Sequence, residues 1–470
     1  MNFTYEPLTK QQIEDVHQAT LDVLETCGVE MCDPRAHEIF KKHGAVVEGN
    51  IIKIPPKVVE ECMKLAPRSF ILDAANPSRS VNVGASDRPL IAPNATSPFI
   101  IDDEFKRRNV TFDDMRNFFK LSQSSDCVDI GGQLIVFPTD NCTYKEGVIT
   151  AIYEYFLHMD KPMNLCSVNR STIDMTMEIM QLLTEKEGGY PMFASLSPIS
   201  PLRFDEELLD GLFYAAEKNQ VMEVTPCSAA GLTGPITGID NVVLTNAENV
   251  AMFTLIQLIN PGLPVVYSTY TCITDMRTLQ LCTGASESVK MCAMARQMAD
   301  YYQVPFDMPS GSTDAKNCDV QAALESTTAI MNAFGAKVDI AMFMLGSLDS
   351  FNSANYRKFI LDEEIIKHVQ AFIKPPKDMN IKKTVDLITE VGQHGTYVKH
   401  KNTLRNYRKE HSFPDFSVRT TYEEYVAENK DITQRIDERL KKRMDAYVAP
   451  EIPEDKKAKM KEIFEKHLNS

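Results

Sequence analysis

From Pro89 to about residue 345, short apolar segments alternate with longer stretches in which apolar residues recur every three or four positions. The short segments predict β-strands, and the longer stretches predict amphipathic α-helices. The predicted strands are 90–92, 130–137, 163–168, 192–195, 221–225, 265–269, 304–308 and 338–343. The predicted helices between them include 112–124, 145–158, 171–183, 206–219, 247–260, 286–301 and 320–334.

Eight strand–helix units in one run predict an α/β protein with a (β/α)8 TIM barrel over residues 86–375. Parallel strands need crossover helices, and eight strands can close around a filled interior. An open, doubly wound sheet is the alternative. It is disfavoured because the sequence has no Gly-x-Gly-x-x-Gly or Walker-type loop.

The segments before and after this run have different residue patterns. Residues 1–85 predict a small N-terminal α+β unit, which opens with capping-box spacing at Thr9–Gln12. Residues 376–470 predict a charged helical C-terminal extension, with helices at 383–391, at 422–446 and after Glu454. Mixed-charge terminal helices are typical of a solvated face or an assembly arm. A second copy of the chain is therefore a candidate partner, in a homo-oligomer.

Composition narrows the protein class. The chain is 43% hydrophobic over 470 residues, which is ample for a core. No apolar signal-peptide segment opens it, and its most apolar stretch, 250–267, is interrupted at Pro261, so no membrane association is predicted. The eleven cysteines occur singly, without a Cys-x-x-Cys pair. This usage suits buried thiols in a reducing compartment, and we expect a cytoplasmic protein.

The net charge and the spacing of the histidines argue against two functions, nucleic-acid binding and metal binding. The formal net charge of −15 argues against nucleic-acid binding, which needs a basic face, but it is compatible with a cationic substrate. The nine histidines include no His-x-x-x-His pair, so no metal site is predicted.

The loop after the seventh predicted strand is the richest in functional groups. It contains Thr313, Asp314, Lys316, Asn317 and Asp319. Active sites of βα barrels lie in such loops, at the carboxyl ends of the strands. The alternative is structural: Asp319 only caps its helix, and Lys316 only pairs with Asp314.

The carboxyl ends of the predicted strands together carry an aromatic and acidic set of side chains without a histidine. A Ser-His-Asp or Cys-His nucleophile therefore has no base there. Aromatic faces attract a quaternary ammonium group through the ring quadrupole. The alternative is that these rings only pack the barrel rim. The set comprises Asn94, Thr96, Phe99, Ser195, Ser197, Glu223, Thr225, Cys227, Tyr267, Tyr270, Asp275, Arg277, Asp314, Lys316, Asp319, Phe343, Phe351 and Tyr356.

Several segments resemble the trimethylamine methyltransferase superfamily, and the similarity extends in order and spacing from the opening helix to about residue 370. They are Ser200-Pro201-Leu202-Arg203, Gly231-Leu232-Thr233-Gly234-Pro235-Ile236-Thr237, Asn246-Ala247-Glu248, Asn260-Pro261-Gly262-Leu263-Pro264-Val265, Asp275-Met276-Arg277-Thr278, the stretch 301–305, Asp314-Ala315-Lys316 with Asp319 and Gln321, and Leu361-Asp362-Glu363-Glu364-Ile365.

The resemblance implies a TIM-barrel methyltransferase that moves a methyl group from an amine to the cobalt of a corrinoid-binding partner protein, with no cofactor held tightly by the barrel itself. Archaeal trimethylamine enzymes of the family carry pyrrolysine. This chain has only standard residues and resembles the pyrrolysine-free branch, whose members demethylate glycine betaine, proline betaine, carnitine or γ-butyrobetaine. We expect the pyrrolysine-equivalent position in or near the loop 314–319.

A quaternary ammonium already carries its charge, so Co(I) can attack a methyl group and expel a neutral tertiary amine without a proton donor. Catalysis then consists of binding, orientation and exclusion of water. Our hypothesis assigns an aromatic cage to Phe99, Tyr267, Tyr270, Phe343 and Phe351. Candidates for the substrate carboxylate are Lys316, Asn94 and Arg277, although Arg277 fits a structural ion pair better. Supporting roles are expected for Glu223, Asp314, Asp319 and Gln321.

Two other functions fit the same barrel. One is a non-catalytic quaternary-amine binding protein. The other is a zinc thiol methyltransferase, which needs a cluster of thiolates, and only Cys166, Cys227 and Cys318 come near the strand ends.

Overall fold

A computed structural model describes residues 3–102, 104–377 and 379–469. Eight parallel strands form the central sheet. In chain order they are Leu90–Ile91, Gly131–Gly132, Met163–Leu165, Met192–Leu196, Val221–Val224, Val265–Ser268, Phe306–Pro309 and Ile340–Met342. All eight predicted strands are confirmed, although the second is much shorter than predicted.

The two ends of this sheet lie side by side. From the second strand to the eighth, each strand pairs with the next, and the eighth pairs with the first. At the start of the second strand, the backbone N–H groups of Asp129 and Ile130 donate to the carbonyl of Ile91, at 2.8 and 3.1 Å. The sheet is therefore curled into a barrel-like form.

Helices cover the outside of the sheet. They are Phe112–Ser124, Tyr144–His158, Arg170–Thr184, Glu206–Glu217, Gly238–Ile259, Ser286–Tyr302, Val320–Gly335 and Tyr356–Ile373. Capping boxes at Thr111, Thr143 and Asn169 begin three of them. These N-terminal signals explain why the predicted starts agree with the structure to within one residue.

The helix Gly238–Ile259 begins nine residues before the predicted start at 247. It is mostly buried on all sides, and its buried residues include polar ones such as Asn246 and Glu248, so it shows no amphipathic periodicity. By length and composition alone it could cross a membrane, but 78% of its most apolar window is buried inside the protein. It is a core helix, packed against the helices Lys10–Thr26 and Pro56–Met63.

Side chains alternate between the two sides of each central strand. Val265 and Tyr267 belong to the large core between sheet and helices, whereas Val266 belongs to a separate cluster inside the sheet. We call this interior the lumen. A hairpin formed by Phe70–Leu72 and Val81–Val83 contributes to the same cluster, so the lumen is filled with apolar side chains.

The position of Tyr267 corrects one prediction. Tyr267 is fully buried, and its hydroxyl donates to Asn246 Oδ1 on the helix Gly238–Ile259 at 2.9 Å. Its ring packs against Phe253 and Phe306. Strand alternation therefore directs Tyr267 away from the lumen, and the structure does not bring it to the other candidate cage residues.

Replacing Tyr267 tests this placement. We expect Tyr267→Phe to lower the free energy of unfolding by about 1–3 kcal/mol, because Asn246 Oδ1 loses its buried donor. The KM for substrate should stay within about twofold of the wild type, since the ring is retained and lies outside the lumen. Denaturant unfolding and steady-state kinetics measure the two quantities. A large rise in KM without a change in stability would contradict the placement.

The N-terminal unit is joined to the main sheet. It contains the helices Lys10–Thr26, Pro34–Lys42 and Pro56–Met63 and the strands Val29–Met31, Val46–Glu48 and Ile51–Lys53, followed by the short 3-10 helix Pro77–Arg79. Its sheet includes Arg203–Phe204, from the connection after the fourth central strand.

The C-terminal extension is helical, as predicted. Its helices are Ile381–Val391, Lys401–Glu410, Tyr422–Glu428, Ile432–Asp445 and Glu454–Asn469. The single helix predicted over 422–446 is wrong, because Asn429 adopts a left-handed conformation (φ 49°) and Asp431 caps a new helix. The helix Lys401–Glu410 was not predicted. The last two helices pack on the outer helices of the barrel-like fold.

Candidate active site

Two buried carboxyl groups lie side by side in the lumen. Glu223 is on the fifth central strand and Asp307 on the seventh, and neither side chain is exposed. Each carboxyl affects the pKa of the other, so the two groups lie close together. Burial, together with the neighbouring carboxyl, raises the pKa of Glu223 well above its usual value, and burial also raises the pKa of Asp307. Two carboxyls this close do not ionise independently, and one shared proton would leave the pair with a single negative charge.

Hydroxyl donors hold each carboxyl in place. Ser195 Oγ donates to Glu223 Oε2, and Ser268 Oγ donates to Asp307 Oδ2 at 3.1 Å. Tyr270 also donates its hydroxyl to Asp307 Oδ2, at 3.2 Å. The other oxygen of Glu223, Oε1, is buried and has no hydrogen-bond partner among the described residues. The carboxyl pair is thus held by the fourth and sixth central strands and by Tyr270 in the loop that follows the sixth.

Three aromatic rings lie together at this end of the lumen. The ring centroids of Tyr270 and Phe343 are 5.2 Å apart with an edge-to-face geometry, and those of Phe343 and Phe351 are 4.4 Å apart. Tyr270 and Phe351 are 6.3 Å apart. Because Tyr270 also binds Asp307, the aromatic cluster is directly connected to the carboxyl pair.

The Phe351 ring lies at the tip of a hairpin, which holds it in this position. The hairpin joins the strands Ser347–Leu348 and Ser353–Ala354, and its tip contains three consecutive non-glycine residues in the left-handed region: Asp349, Ser350 and Phe351. Such a run is strained and needs support from its surroundings. The N–H groups of Asp349 and Ser350 donate to the loop after the seventh strand, and Ser97 Oγ donates to the Phe351 carbonyl at 2.5 Å.

Further short strands surround this end of the fold. The hairpin belongs to a four-stranded sheet with Phe99–Ile101 and Arg107–Asn109. A three-stranded sheet of Ala229–Ala230, Cys272–Asp275 and Gln280–Cys282 lies after the fifth and sixth central strands. These additions are all inserted at the carboxyl ends of the central strands, where the candidate site lies.

Two thiols are part of the same region. The Cys166 thiol donates to Asn164 Oδ1 at 2.8 Å. Cys227 is exposed, yet burial raises the pKa of its thiol to about 12. The thiol group is therefore enclosed by protein although part of the residue is exposed. Both thiols are close enough to Tyr270 to raise the pKa of its hydroxyl. They are neutral at physiological pH and are poor nucleophiles.

The loop after the seventh strand is used mainly for structure. Lys316 forms an ion pair with Asp349 at 2.5 Å, so its partner is not Asp314, as the structural alternative supposed. Asp314 instead accepts from the Gly284 N–H at 3.0 Å and from Ser350 Oγ at 2.8 Å. Asp319 caps its helix, which confirms the structural alternative for this residue. Gln321 Nε2 donates to Glu325 on the same helix.

Three other candidate residues make structural contacts of their own. The half-buried Phe99 has one face covered by the Arg107 guanidinium, 4.5 Å from the ring centroid. Asn94 is buried, and its Nδ2 already donates to Ser97 Oγ and to the Ile135 carbonyl. The Arg277 side chain is 88% exposed and pairs with Asp275 at 2.6 Å. Arg277 is therefore a surface ion pair, as the structural alternative held.

Asp307, Ser268 and Asn164 are site residues that our sequence analysis missed. Asp307 stands in the middle of an otherwise apolar segment, 304–308. A charged residue in a buried strand must be paired or functional, and this signal was available from the sequence. Ser268 and Asn164 carry no comparable signal, because their role depends on neighbouring strands.

The described residues contain no group of three or more His, Cys, Asp or Glu side chains arranged to hold a metal ion. Of the three cysteines near strand ends, Cys166 and Cys227 are the ones that flank Tyr270. The chemistry of the site is thus aromatic and anionic.

Comparisons with known proteins identify the family of the chain. The family model described as trimethylamine methyltransferase (MTTB) matches residues 2–470. A glycine betaine methyltransferase from Desulfitobacterium hafniense is 30% identical over 97% of this chain and 96% of its own. An L-carnitine:corrinoid methyltransferase from Eubacterium limosum is 27% identical over 94% and 93%. The monomethylamine methyltransferase structure from Methanosarcina barkeri has a TM-score of 0.56 at 11% identity, covering 95% of this chain and 89% of that chain, which is a likeness of fold alone.

Proposed function

Because the chain belongs to the trimethylamine methyltransferase family, we propose that it transfers a methyl group from a betaine-type quaternary amine to the Co(I) of a corrinoid protein. The substrates considered are glycine betaine, proline betaine, carnitine and γ-butyrobetaine. The proposal includes a full (β/α)8 barrel and a corrinoid carried by a partner protein. The single observation that carries it is the contact between an aromatic cluster and a buried pair of carboxyl groups.

Each part of the cluster supports binding of a cation. The faces of Tyr270, Phe343 and Phe351 would stabilise the ammonium group, which has no hydrogen-bond donor of its own. The carboxyl pair adds one negative charge behind Tyr270. In a site that excludes water, this charge is screened far less than a surface charge.

The corrinoid supplies the nucleophile, and the tertiary amine product leaves without a proton. The residues of this chain therefore have three tasks: to bind the cation, to direct one N-methyl group toward the carboxyl-end opening, and to exclude water. In this proposal the Phe351 hairpin covers the ammonium. Lys316, beside Asp349 at the rim, is our candidate for the substrate carboxylate.

A cytoplasmic location is part of the same proposal. All eleven cysteines are free, and several are partly or fully accessible. Free thiols persist in reducing compartments, and a Co(I) acceptor requires reducing conditions as well.

The charge of the carboxyl pair predicts a pH dependence. As the pH falls, a second proton binds, and the negative charge behind Tyr270 is lost. Since the pKa of Asp307 is raised to about 6, kcat/KM for a quaternary amine should be roughly tenfold lower at pH 5 than at pH 7. A pH profile of methyl transfer to free cob(I)alamin measures this. A flat profile over that range would show that the pair does not contribute to binding the cation.

The function itself is tested by following loss of the Co(I) absorbance of cob(I)alamin. The purified protein is incubated separately with glycine betaine, proline betaine, carnitine, γ-butyrobetaine and trimethylamine. We expect methylcobalamin with at least one quaternary amine and none with trimethylamine. If no amine is demethylated even with a corrinoid protein present, but saturable binding persists, the chain is a quaternary-amine binding protein and the enzyme proposal fails.

A further inference from the structure

Part of the C-terminal extension presents apolar side chains to solvent. Residues 374–411, which we call the basic arm, contain the helices Ile381–Val391 and Lys401–Glu410. On the first helix, Ile381, Val385 and Ile388 recur at helical spacing on one face, and each is at least 55% exposed. Met379, Val398 and Leu404 are also exposed. An apolar surface of this extent is typical of an interaction site.

The charge of the basic arm is opposite to that of the rest of the protein. Residues 374–411 contain nine lysines and arginines and four acidic residues, a formal charge of +5. Since the whole chain carries −15, the remaining residues carry −20. A second copy of this chain therefore offers the arm an electrostatically complementary surface.

One acidic segment matches the arm in both charge and apolar character. Residues 421–431 contain Glu423, Glu424, Glu428 and Asp431 and one lysine, Lys430, a formal charge of −3. Glu424 and Asp431 also cap helices, and Glu428 pairs with Arg435 at 2.7 Å. Within this segment, Tyr422 and Val426 are 75% and 53% exposed. The segment thus combines apolar contacts with negative charge, as a partner of the basic arm must.

The position of the arm distinguishes a second copy from the corrinoid partner. The helix Tyr356–Ile373 starts beside the Phe351 hairpin and is 18 residues long, so it spans about 27 Å. Its end lies near Arg88 and Asp339, which precede the first and eighth central strands. The arm therefore leaves the fold at the end opposite the candidate active site, where a methyl acceptor has no reason to bind.

We propose that the basic arm of one copy docks on the acidic segment of a second copy, and that the reverse contact forms at the same time in a two-fold symmetric dimer. Two-fold dimers use the same two surfaces on both subunits, so each dimer contains the contact twice. The apolar faces supply the buried area, and the opposite charges fix the register.

Sedimentation velocity tests the proposal with charge reversal. At low micromolar concentration, the mass of the wild type obtained from sedimentation should be twice that of the monomer. The variant Lys382→Glu/Lys383→Glu should dissociate at least tenfold more readily, and adding Glu423→Lys/Glu424→Lys should restore the dimer. Lys57→Glu, at a lysine side chain that is 83% exposed on another helix, is the matched control and should remain dimeric.

The apolar contact is tested separately by Ile388→Asp, with Val46→Asp as the control at another exposed apolar position. Only the first should yield monomers. A monomeric wild type, or a dimer that survives both arm variants, would overturn the proposal. Methyl transfer to free cob(I)alamin should be unchanged in the charge-reversed monomers, so this outcome is independent of the proposed reaction.

Discussion

The double variant Glu223→Gln/Asp307→Asn should lower kcat/KM for a quaternary amine by about 100-fold. Both replacements keep the size of the side chain and remove the negative charge of the pair. A unit charge about 6 Å from the ammonium, at an effective dielectric constant of about 20, contributes about 2.8 kcal/mol, which corresponds to that factor. Steady-state methyl transfer to cob(I)alamin gives the value.

The fold should survive this double replacement. Neutral residues of similar volume in place of a buried charged pair are usually neutral or stabilising. Glu248→Gln is the matched control, because Glu248 is equally buried but binds Ser200 Oγ and the Leu202 N–H, away from the carboxyl pair. It should leave kcat/KM within about twofold. If kcat/KM falls equally in both variants, the cause is a general disturbance of the structure and not the loss of the negative charge.

The pair also links stability to pH. Burial raises the pKa of both carboxyls in the folded protein, so they retain protons that the unfolded chain has released. This contribution favours folding at low pH and is lost as the pH rises through the raised pKa values. The double variant should therefore show a smaller decrease in stability between pH 5 and pH 8 than the wild type.

Phe343→Leu should raise KM for a quaternary amine at least tenfold. Leucine keeps much of the apolar volume but removes the ring quadrupole, and a desolvated cation–π contact is worth about 2 kcal/mol. The ring of Phe343 lies between those of Tyr270 and Phe351, so its loss removes the central face of the cluster. Unchanged kinetics would exclude Phe343 from the cage.

A neutral analogue sharpens this measurement. Binding of a betaine should weaken in Phe343→Leu, whereas binding of its uncharged tert-butyl isostere should change by less than about threefold. Phe359→Leu, at a fully buried ring outside the lumen, is the control for lost packing. It should reduce stability, but it should change the affinities for the cationic ligand and the neutral ligand to the same extent. Equal weakening of both ligands in Phe343→Leu would indicate packing alone.

Hydrophobic periodicity predicted most of the elements, and where it failed there is a local reason. The helix Gly238–Ile259 begins earlier than predicted because an apolar helix buried on all sides has no stripe to detect. The break at Asn429 was missed because the charge pattern continues across it. Neither error altered the order of strands and helices.

The candidate site was predicted only in part. Glu223, Tyr270, Phe343 and Phe351 were named from the strand ends, and the structure brings them together. Tyr267 was placed with them because it is at the end of the sixth strand. A difference of one residue along a strand reverses the side chain direction, and the ends of strands are the least certain part of a sequence-based prediction.

By itself, the sequence determined the order of the elements, the family and the chemical character of the strand ends, because these depend on local pattern and on residue type. Only the tertiary structure decided which side chains share the lumen and which charges pair. Asp307 meets Glu223 across an intervening strand, and Lys316 meets Asp349 through a hairpin tip 33 residues further along the chain. Such contacts join residues that are distant in sequence, so no local pattern encodes them.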